Sequence, residues 1–390
     1  MTATTLFVTI GSQSVGSLEH LHMGDFMHAS DLNSSWVQTA LRLGANPDSP
    51  HGIESIEFER IGTGQVADSY HVSLTYRDPD SADGPRSLVA KFTSDSEQSR
   101  GAGRTELNYL REVRFYQQIA PQLHARVPHC HYSEIDSNNT EFVLLLEDLT
   151  PARAGNQLVG CTVDETARAL EQAAGFHAPY WGGDDLRGLE WLDISETYWK
   201  RFEEMMPVWF EGFAERYNDR IDPEDLRLAG KFVAHIGDYY ARLRRAPFTI
   251  QHGDFRPDNI LFDVQGEAGT LAVVDWQTVI LGPGAVDVAY FIGGALDTDT
   301  RRAHEDELLR GYHRKLLELG VKDYSLKQLS DEYAAATFAN LIIGVAAAML
   351  VERSERGDEL FVSMVTSAVA HARDRKGLAA IGASEVGISV

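Results

Sequence analysis

The sequence contains only two cysteines among its 390 residues, Cys130 and Cys161. Two cysteines cannot build the multi-bridge framework of a small secreted protein, and their spacing is not that of a zinc site. A low cysteine content is typical of a reducing compartment, so we predict a cytoplasmic location. Residues 1–14 include a short apolar run but neither a basic leader nor a small-residue cleavage site, so no signal peptide is predicted.

Basic residues are also scarce. The chain has 35 lysine and arginine residues against 58 aspartate and glutamate residues, which gives a formal net charge of -23 at pH 7. A surface of this sign repels the phosphate backbone of nucleic acids, so we expect no nucleic-acid partner. The acidity indicates no other partner by itself, because a large net charge also serves solubility.

One apolar run, residues 334–351, is long enough to suggest a transmembrane helix. It is rich in alanine, contains Thr337 and Asn340, and is flanked by charged residues on both sides. These features favour a buried helix in a large helical lobe, and no membrane association is predicted.

The periodic segments divide the chain into two parts. Residues 1–30 have weak periodicity and are predicted to be a flexible N-terminal segment. Residues 31–146 contain five segments with strand-like patterns and one strong helix at 106–120. Residues 147–390 are mainly helical. The pattern predicts an α+β architecture, in which a small antiparallel sheet with one helix precedes a large, mainly helical lobe.

The residues with the clearest chemistry lie between 250 and 277. There, IQHGDFRPDNILF is followed by the strand-like AVVDWQ, which gives the order H-x-D-x-x-x-x-N and then D for His252, Asp254, Asn259 and Asp275. This is the order of base and metal ligands in the protein-kinase fold. Asn259 and Asp275 offer the hard oxygens that Mg²⁺ prefers, and Asp254 can take the proton of an attacking hydroxyl. We therefore predict an ATP- and Mg²⁺-dependent kinase.

The chain resembles the aminoglycoside phosphotransferase and choline kinase superfamily, and within it the ecdysteroid kinase-like branch and its bacterial relatives. The similar segments are HGDFRPDNILF at 252–262, VVDWQ at 273–277, GPGAVDVAYF at 282–291, LLLEDL at 144–149, FHAPYW at 176–181 and REVRFYQQI at 111–119. The resemblance implies a bilobal protein-kinase-like fold, with a nucleotide-binding N-lobe at 31–146 and a C-lobe at 147–390. That branch commonly has tryptophan where this chain has Arg256.

The resemblance also implies residues for nucleotide binding. Lys91, in the strand-like LVAKF, matches the lysine that holds the α- and β-phosphates. Glu112 matches its partner glutamate, with Glu106 as the alternative, and the ion pair would aim the ammonium group at the phosphates. Gly62 and Gly64 lie in a turn where backbone N–H groups can approach phosphate oxygens closely.

Further positions follow from the same resemblance. The adenine is expected to bond to backbone groups near Glu147 and Leu149, where the chain crosses between the lobes. His252 is expected to pack beneath Asp275, and Asp287 to accept N–H bonds from the catalytic loop.

Two roles are open for Arg256, which lies two residues after Asp254. Its guanidinium could stabilise charge on the transferred phosphoryl group, which would make it catalytic. It could equally pair with Asp258 or Asp263 at the surface.

The chain lacks the peptide platform of a protein kinase. Only eleven residues separate Asp275 from Asp287, and no A-P-E-type anchor is present. Instead, residues 178–247 form a long helical insertion that holds four of the six tryptophans. Most of its rings should pack the lobe, but a few could line a pocket for an apolar or ring-bearing alcohol. The acidity of the insertion would instead suit a cationic amino sugar.

We therefore expect a small-molecule kinase whose acceptor is an alcohol of sterol, terpenoid or sugar type. One alternative is an aminoglycoside or macrolide antibiotic kinase. The other is a pseudokinase, a nucleotide-binding module without turnover. The joint presence of a base, two metal ligands and Lys91 argues against the pseudokinase.

Overall fold

The computed structural model describes residues 28–42, 52–62, 66–78, 80, 84–192 and 195–383. Most of the predicted N-terminal segment at 1–30 lies outside these ranges, and so does Gly64. The described residues form an N-terminal lobe around an antiparallel sheet and a mainly helical C-terminal lobe, which confirms the predicted fold class.

The N-terminal lobe contains a five-stranded antiparallel sheet in the order β1-β2-β3-β5-β4. Alternation of apolar and polar residues explains its strands: in β2 the side chains of Val72, Leu74 and Tyr76 are buried, while those of Ser73 and Thr75 are exposed. The elements of this lobe are α1 (Ser34–Ala40), β1 (Ile53–Ile61), β2 (Ala67–Tyr76), β3 (Ser87–Thr93), α2 (Glu97–Thr105), α3 (Asn108–Arg114), β4 (Cys130–Ile135) and β5 (Phe142–Glu147).

The helix expected at 106–120 is less regular than its apolar spacing suggests. Leu107 adopts a left-handed conformation with φ 56°, which separates α2 from α3. After α3 the chain continues as one π-helical turn, Phe115–Ile119. This turn directly follows the helix that carries Glu112, and π-turns of this kind are frequent at functional sites.

Where the structure describes it, the C-terminal lobe contains ten α-helices and the predicted hairpin. Strands β8 and β9 pair antiparallel, β6 lies on the other side of β8, and β7 pairs with β10. Its elements are β6 (Arg153–Ala154), α4 (Val163–His177), α5 (Ser195–Tyr217), α6 (Pro223–Ala234), α7 (Ile236–Leu243), β7 (Phe248–Gln251), β8 (Ile260–Phe262), β9 (Leu271–Val273), β10 (Ile280–Pro283), α8 (Gly284–Ala295), α9 (Thr298–Glu318), α10 (Leu326–Ala336), α11 (Ala339–Leu350), α12 (Glu355–Arg375) and α13 (Gly377–Ala380).

The apolar run near residue 340 forms two helices, α10 and α11, with Thr337 and Phe338 between them. The stretch Leu326–Leu350 is long and apolar enough to cross a membrane by length and composition alone. Within the lobe, 72% of its most apolar window is buried. It therefore packs as a core element, as predicted, although as a helix pair rather than one helix.

Most rings of the insertion at 178–247 belong to the core of the C-terminal lobe. On α5 the residues Trp199, Phe202, Trp209 and Phe213 recur at helical spacing and are all buried. Trp199 stacks on Tyr240 with ring centroids 5.4 Å apart. These rings are needed to pack the lobe, which leaves few of them for a ligand.

Asp148 fastens the connection between the lobes to the N-terminal sheet. Its Oδ2 accepts a hydrogen bond from Ser87 Oγ at 2.6 Å and lies 3.0 Å from His71 Nε2, while Oδ1 accepts from Thr150 N at 2.9 Å. Burial would raise the pKa of Asp148, but these hydrogen bonds outweigh it and lower the pKa below its ordinary value. Asp148 is therefore charged, and its hydrogen bonds hold the connection against the sheet.

Candidate active site

The loop between β7 and β8, which is the predicted catalytic loop, is held through its backbone by Asp287. Asp287, in the first turn of α8, accepts hydrogen bonds from His252 N at 2.7 Å and Gly253 N at 3.3 Å, as predicted. Gly253 has φ 80°, and a Cβ atom there would lie 2.4 Å from the carbonyl oxygen of Thr278. Only glycine fits this position without strain, because both its conformation and its close approach exclude a side chain.

His252 lies beside the residues that flank Asp275. Its Nε2 is 3.0 Å from the carbonyl oxygen of Val274, and its ring centroid is 4.6 Å from that of Trp276. The side chain is fully buried. This is the scaffold position predicted from the sequence.

Three donors surround the carboxylate of Asp254. Asn259 Nδ2 at 2.9 Å and Arg256 Nε at 3.1 Å donate to Oδ2, and the hydroxyl of Tyr290 donates to Oδ1 at 2.9 Å. The sequence interpretation missed Tyr290. A usable signal was present, because Tyr290 lies three residues after Asp287 and therefore on the same face of α8.

The two predicted metal ligands lie at the same end of the β8–β9 hairpin. Ile260 pairs with Val273, and Val274 N donates to the carbonyl oxygen of Asn259 at 3.0 Å, so Asn259 and Asp275 emerge next to each other. Asn259 Nδ2 is occupied by two hydrogen bonds to Asp254, and the amide therefore offers its Oδ1 to a cation.

This set of donors fits magnesium. A carboxylate and an amide oxygen are hard ligands, and Mg²⁺ commonly combines one or two such ligands with phosphate oxygens and water. Throughout the described ranges, no group of three or more His, Cys, Asp and Glu side chains could hold a metal by itself. A metal held by Asn259 and Asp275 would take its remaining ligands from phosphate oxygens or water.

Lys91 joins the two lobes at the site. Its Nζ lies 2.7 Å from both carboxylate oxygens of Glu112 and 2.9 Å from Oδ1 of Asp275. Glu106, the alternative partner, is instead paired with Arg201. Asp275 itself has a left-handed backbone, with φ 66° and ψ 63°, which directs its carboxylate back toward Lys91.

The charges of this triad depend on one another. Burial would lower the pKa of Lys91, but Asp275 and Glu112 together raise it above its ordinary value. Burial would raise the pKa of Asp275, but the Lys91 ammonium lowers it. Burial dominates at Glu112, whose pKa is raised. Lys91 therefore remains a cation, and Asp275 remains the charged oxygen ligand that a metal requires.

Helix α3, which carries Glu112, is fixed to the segment that follows Asp275. Asn108 Nδ2 donates to the carbonyl oxygen of Gln277 at 3.0 Å, and Phe115 stacks on Trp276 with ring centroids 4.0 Å apart and 9° between the planes. Both rings are fully buried. The Lys91 and Glu112 pair is therefore supported from both lobes.

Arg256 contacts the carboxylates of Asp254 and Asp258. Besides Asp254, its Nη1 lies 3.5 Å from Oδ2 of Asp258, whose other oxygen accepts from Arg356 at 2.8 Å. Asp263, the second partner considered from the sequence, lies near Arg153 instead, at 4.0 Å. Contact of Arg256 with a transferred phosphoryl group stays a prediction.

The predicted adenine position is partly occupied by protein contacts. Glu147 N donates to the carbonyl oxygen of His129 at 2.8 Å, and its carboxylate binds Arg126 at 2.6 and 2.8 Å. The candidates for adenine are therefore the carbonyl of Glu147 and the N–H of Leu149. Leu149 is buried and packs against Leu261.

Two half-buried apolar side chains, Leu261 and Val274, were not predicted as part of the site. They pack against a small buried cluster of Leu149, Val264 and Ala272. Each lies next to a metal-ligand position, since Leu261 is two residues after Asn259 and Val274 directly precedes Asp275. Gly62 has φ 70°, and the position of its Cβ is open space, as a turn that approaches a ligand requires.

The chain is similar to several known proteins. Over 222 residues the chain is 22% identical to an uncharacterized kinase-like protein of Caenorhabditis elegans, a match that covers 53% of this chain and 56% of the worm protein. The chain thus spans about half the length of that curated relative.

Among solved structures, the GDP complex of wild-type aminoglycoside 2'-phosphotransferase-IIIa is 14% identical, with a TM-score of 0.47, over 86% of this chain and 98% of that one. The microcompartment-associated aminopropanol kinase is also 14% identical, with a TM-score of 0.48, over 90% of this chain and 98% of that one.

A family model described as the ecdysteroid kinase-like family matches residues 64–323. This range contains every site residue predicted above except Gly62, and it extends into the helices that follow the predicted catalytic loop. The chain belongs to the ecdysteroid kinase-like family of kinase-like proteins.

Proposed function

We propose that this protein transfers the γ-phosphoryl group of ATP, with Mg²⁺, to a hydroxyl group of a small molecule. The observation that carries the proposal is the meeting of Asp254, Asn259 and Asp275 at one end of the β8–β9 hairpin, with Lys91 bound to Asp275 at 2.9 Å. A base, two oxygen ligands and a phosphate-binding cation in one place are the parts that phosphoryl transfer requires.

Each residue has a separate task in this proposal. Lys91, fixed by Glu112, binds the α- and β-phosphates, and Asn259 and Asp275 hold the metal. Bound Mg²⁺ supplies positive charge against the phosphate oxygens. Asp254 orients the acceptor hydroxyl and takes its proton as the oxygen attacks. Positioning and charge stabilisation then supply most of the rate enhancement.

The segment after Asp275 supports a small acceptor rather than a peptide. From Asp275 the chain passes through β10 (Ile280–Pro283) directly into α8, where Asp287 binds the catalytic loop. No extended activation segment lies between them on which a peptide could align.

The surroundings of the base favour an apolar alcohol over a cationic amino sugar. An amino sugar needs unpaired carboxylates, but Asp258 is already paired with both Arg256 and Arg356. The N–H of Gln157 also donates to Asp258, at 2.7 Å, and the next two side chains, Leu158 and Val159, are 37% and 81% exposed. These side chains would offer apolar contact to an acceptor beside the catalytic loop.

The test is release of ADP by the purified protein with sterols, terpenoid alcohols, sugars, amino alcohols and aminoglycosides, each with and without Mg²⁺. We expect Mg²⁺-dependent turnover with a subset of the alcohols. Asp254→Asn should reduce turnover by at least about 1,000-fold while ATP binding stays within about two-fold. Asp331→Asn, which changes an exposed carboxylate, serves as the control.

Three results would contradict parts of the proposal. Turnover with serine or threonine peptides and no small molecule would overturn the acceptor class. Turnover with aminoglycosides alone would keep the kinase and reverse the preference for apolar acceptors. Nucleotide binding without any turnover would indicate a pseudokinase.

A further inference from the structure

The carboxylate of Asp254 is bonded unevenly. Its Oδ2 receives two donors, Asn259 Nδ2 and Arg256 Nε, whereas Oδ1 receives only the hydroxyl of Tyr290 at 2.9 Å. Each carboxylate oxygen can accept about two hydrogen bonds in its plane. Oδ2 is therefore saturated by the protein, and Oδ1 has a lone pair left for an incoming proton.

Tyr290 is well fixed. It lies in the middle of α8 and is buried, and its carbonyl oxygen accepts a hydrogen bond from Asn340 Nδ2 at 2.8 Å. One turn earlier on the same helix, Asp287 holds the backbone of the catalytic loop at His252. A single helix thus sets both the backbone of the loop and the side chain of the base.

The hydroxyl of Tyr290 belongs to a helix that is otherwise apolar around it. The next residue, Phe291, is fully buried and packs against Phe255 with ring centroids 4.7 Å apart. A buried hydroxyl costs free energy unless it is hydrogen-bonded. Its partner at this position is Asp254, and burial raises the pKa of Tyr290 well above its ordinary value, so the group remains a donor.

We infer that Tyr290 is a positioning residue for the base: its hydroxyl fixes the rotation of the Asp254 carboxylate so that Oδ1 is the oxygen that accepts the acceptor's proton. The inference rests on the proposed phosphoryl transfer. In the reaction the acceptor O–H bond breaks, its oxygen bonds to the γ-phosphorus as the bond to ADP breaks, and the proton moves to Oδ1. Tyr290 keeps its own proton throughout.

The test compares two buried tyrosines whose hydroxyls donate to different carboxylates. Tyr290→Phe removes the donor to Asp254. Tyr333→Phe removes an equally buried hydroxyl that donates to Glu305 at 3.1 Å in another part of the lobe. We expect Tyr290→Phe to lower kcat about 10-fold, with the Kd of ATP and the KM of the acceptor within about two-fold of the unmodified protein. We expect Tyr333→Phe to leave kcat unchanged.

The measurement uses the acceptor found by the alcohol screen, or water as acceptor through slow Mg²⁺-dependent hydrolysis of ATP. Equal effects of the two substitutions on kcat would overturn the inference, and so would a change in KM alone for Tyr290→Phe. If Asp254→Asn leaves turnover intact, the proposed function fails. If Asp254→Asn abolishes turnover but Tyr290→Phe does not lower it, only the role of Tyr290 fails.

A second measurement does not depend on the folding of Tyr290→Phe. With 3-fluorotyrosine at position 290, the fluorine resonance should shift when Asp254→Asn is introduced, because the hydrogen-bond partner changes from a carboxylate to an amide. The same label at position 333 should not shift. An unchanged resonance at position 290 would show that the hydroxyl is not hydrogen-bonded to Asp254.

Discussion

The ammonium nitrogen of Lys91 lies 2.9 Å from Oδ1 of Asp275, although 184 positions separate the two residues in the chain. Lys91 belongs to strand β3 of the N-terminal sheet, and Asp275 follows strand β9 of the C-terminal hairpin. The two lobes therefore meet through a pair of opposite charges at the place where phosphates are expected to bind.

Replacement of Lys91 by methionine should separate its structural and catalytic contributions. Lys91→Met leaves Glu112 buried without its partner, and loss of one member of a buried pair costs about 3–5 kcal/mol. We expect kcat/KM for ATP to fall at least about 100-fold. The double variant Lys91→Met with Glu112→Gln should regain stability but not activity. Lys200→Met, at an exposed position of α5, is the control for each measurement.

Asp275→Ala should abolish the effect of Mg²⁺ on ATP binding, because Asp275 is the charged ligand of the proposed metal site. Calorimetric titration of ATP with and without Mg²⁺ measures this directly. Asp263→Ala is a matched control, because Asp263 is also a left-handed aspartate of the same hairpin, with φ 54°. If both variants respond to Mg²⁺ as the unmodified protein does, Asp275 is not a metal ligand.

Gly253→Ala should disrupt the catalytic loop. The left-handed backbone costs about 1–2 kcal/mol for alanine, and the contact of Cβ with Thr278 O at 2.4 Å adds a steric cost, for a total of about 3 kcal/mol. Gly320→Ala isolates the first cost, because Gly320 has φ 100° and open space at its Cβ position. Chemical denaturation of the two variants measures both terms. Equal losses of stability would rule out the steric contact.

The protein should lose stability in mild acid. His177 and His371 are fully buried, and burial lowers the pKa of both imidazoles. Because the folded state favours the neutral ring, the unfolded state binds more protons below its ordinary pKa of about 6.5. The stabilisation is complete above that pH and falls as the pH drops, by up to about 1.4 kcal/mol per pH unit for each histidine.

Urea unfolding at about pH 7.5, 6.5 and 5.5 checks this dependence. His371→Gln should make it shallower, and His124→Gln, at an exposed histidine, should leave it unchanged. A flat profile across this range would mean that the folded and unfolded states bind equal numbers of protons, so that burial does not lower the two pKa values.

Val159→Asp should weaken binding of apolar acceptors. Val159 is 81% exposed next to Leu158, and its contact with an apolar alcohol would be replaced by a charge. We expect the acceptor KM to rise about 10-fold, with the KM of ATP unchanged. Val208→Asp, on the exposed side of α5, is the control. Equal KM values for the two variants would place the acceptor elsewhere.

Local chemistry explains what the sequence could predict. Strand-like patterns predicted all five strands of the N-terminal sheet, and the reason is clearest in β2, where buried and exposed residues alternate. The spacing of Asp254, Asn259 and Asp275 was informative for a similar reason, since a short loop and a hairpin leave little freedom in where these side chains emerge. The pairing of Lys91 with Glu112 followed from the family resemblance.

Features that depend on packing between distant segments were harder to predict. The break at Leu107 is not visible in an apolar pattern that runs continuously across it. Trp199 and Trp209 could have lined a cleft as well as a core, and only the positions of the neighbouring helices distinguish the two. Tyr290 shares a helix face with Asp287, but its contact with Asp254 spans 36 positions of the chain and depends on how α8 packs against the loop.

The anchoring of α3 has a consequence for control of this protein. Outward movement of this helix would separate the stacked rings of Phe115 and Trp276. It would also break two hydrogen bonds, from Asn108 to the carbonyl oxygen of Gln277 and from the buried Arg111 to that of Val279, at 3.4 Å. An inactive state in which α3 is displaced would therefore be unfavourable in free energy. For the proposed phosphoryl transfer, this anchoring predicts that the supply of the acceptor, rather than a movement of α3, would limit the reaction.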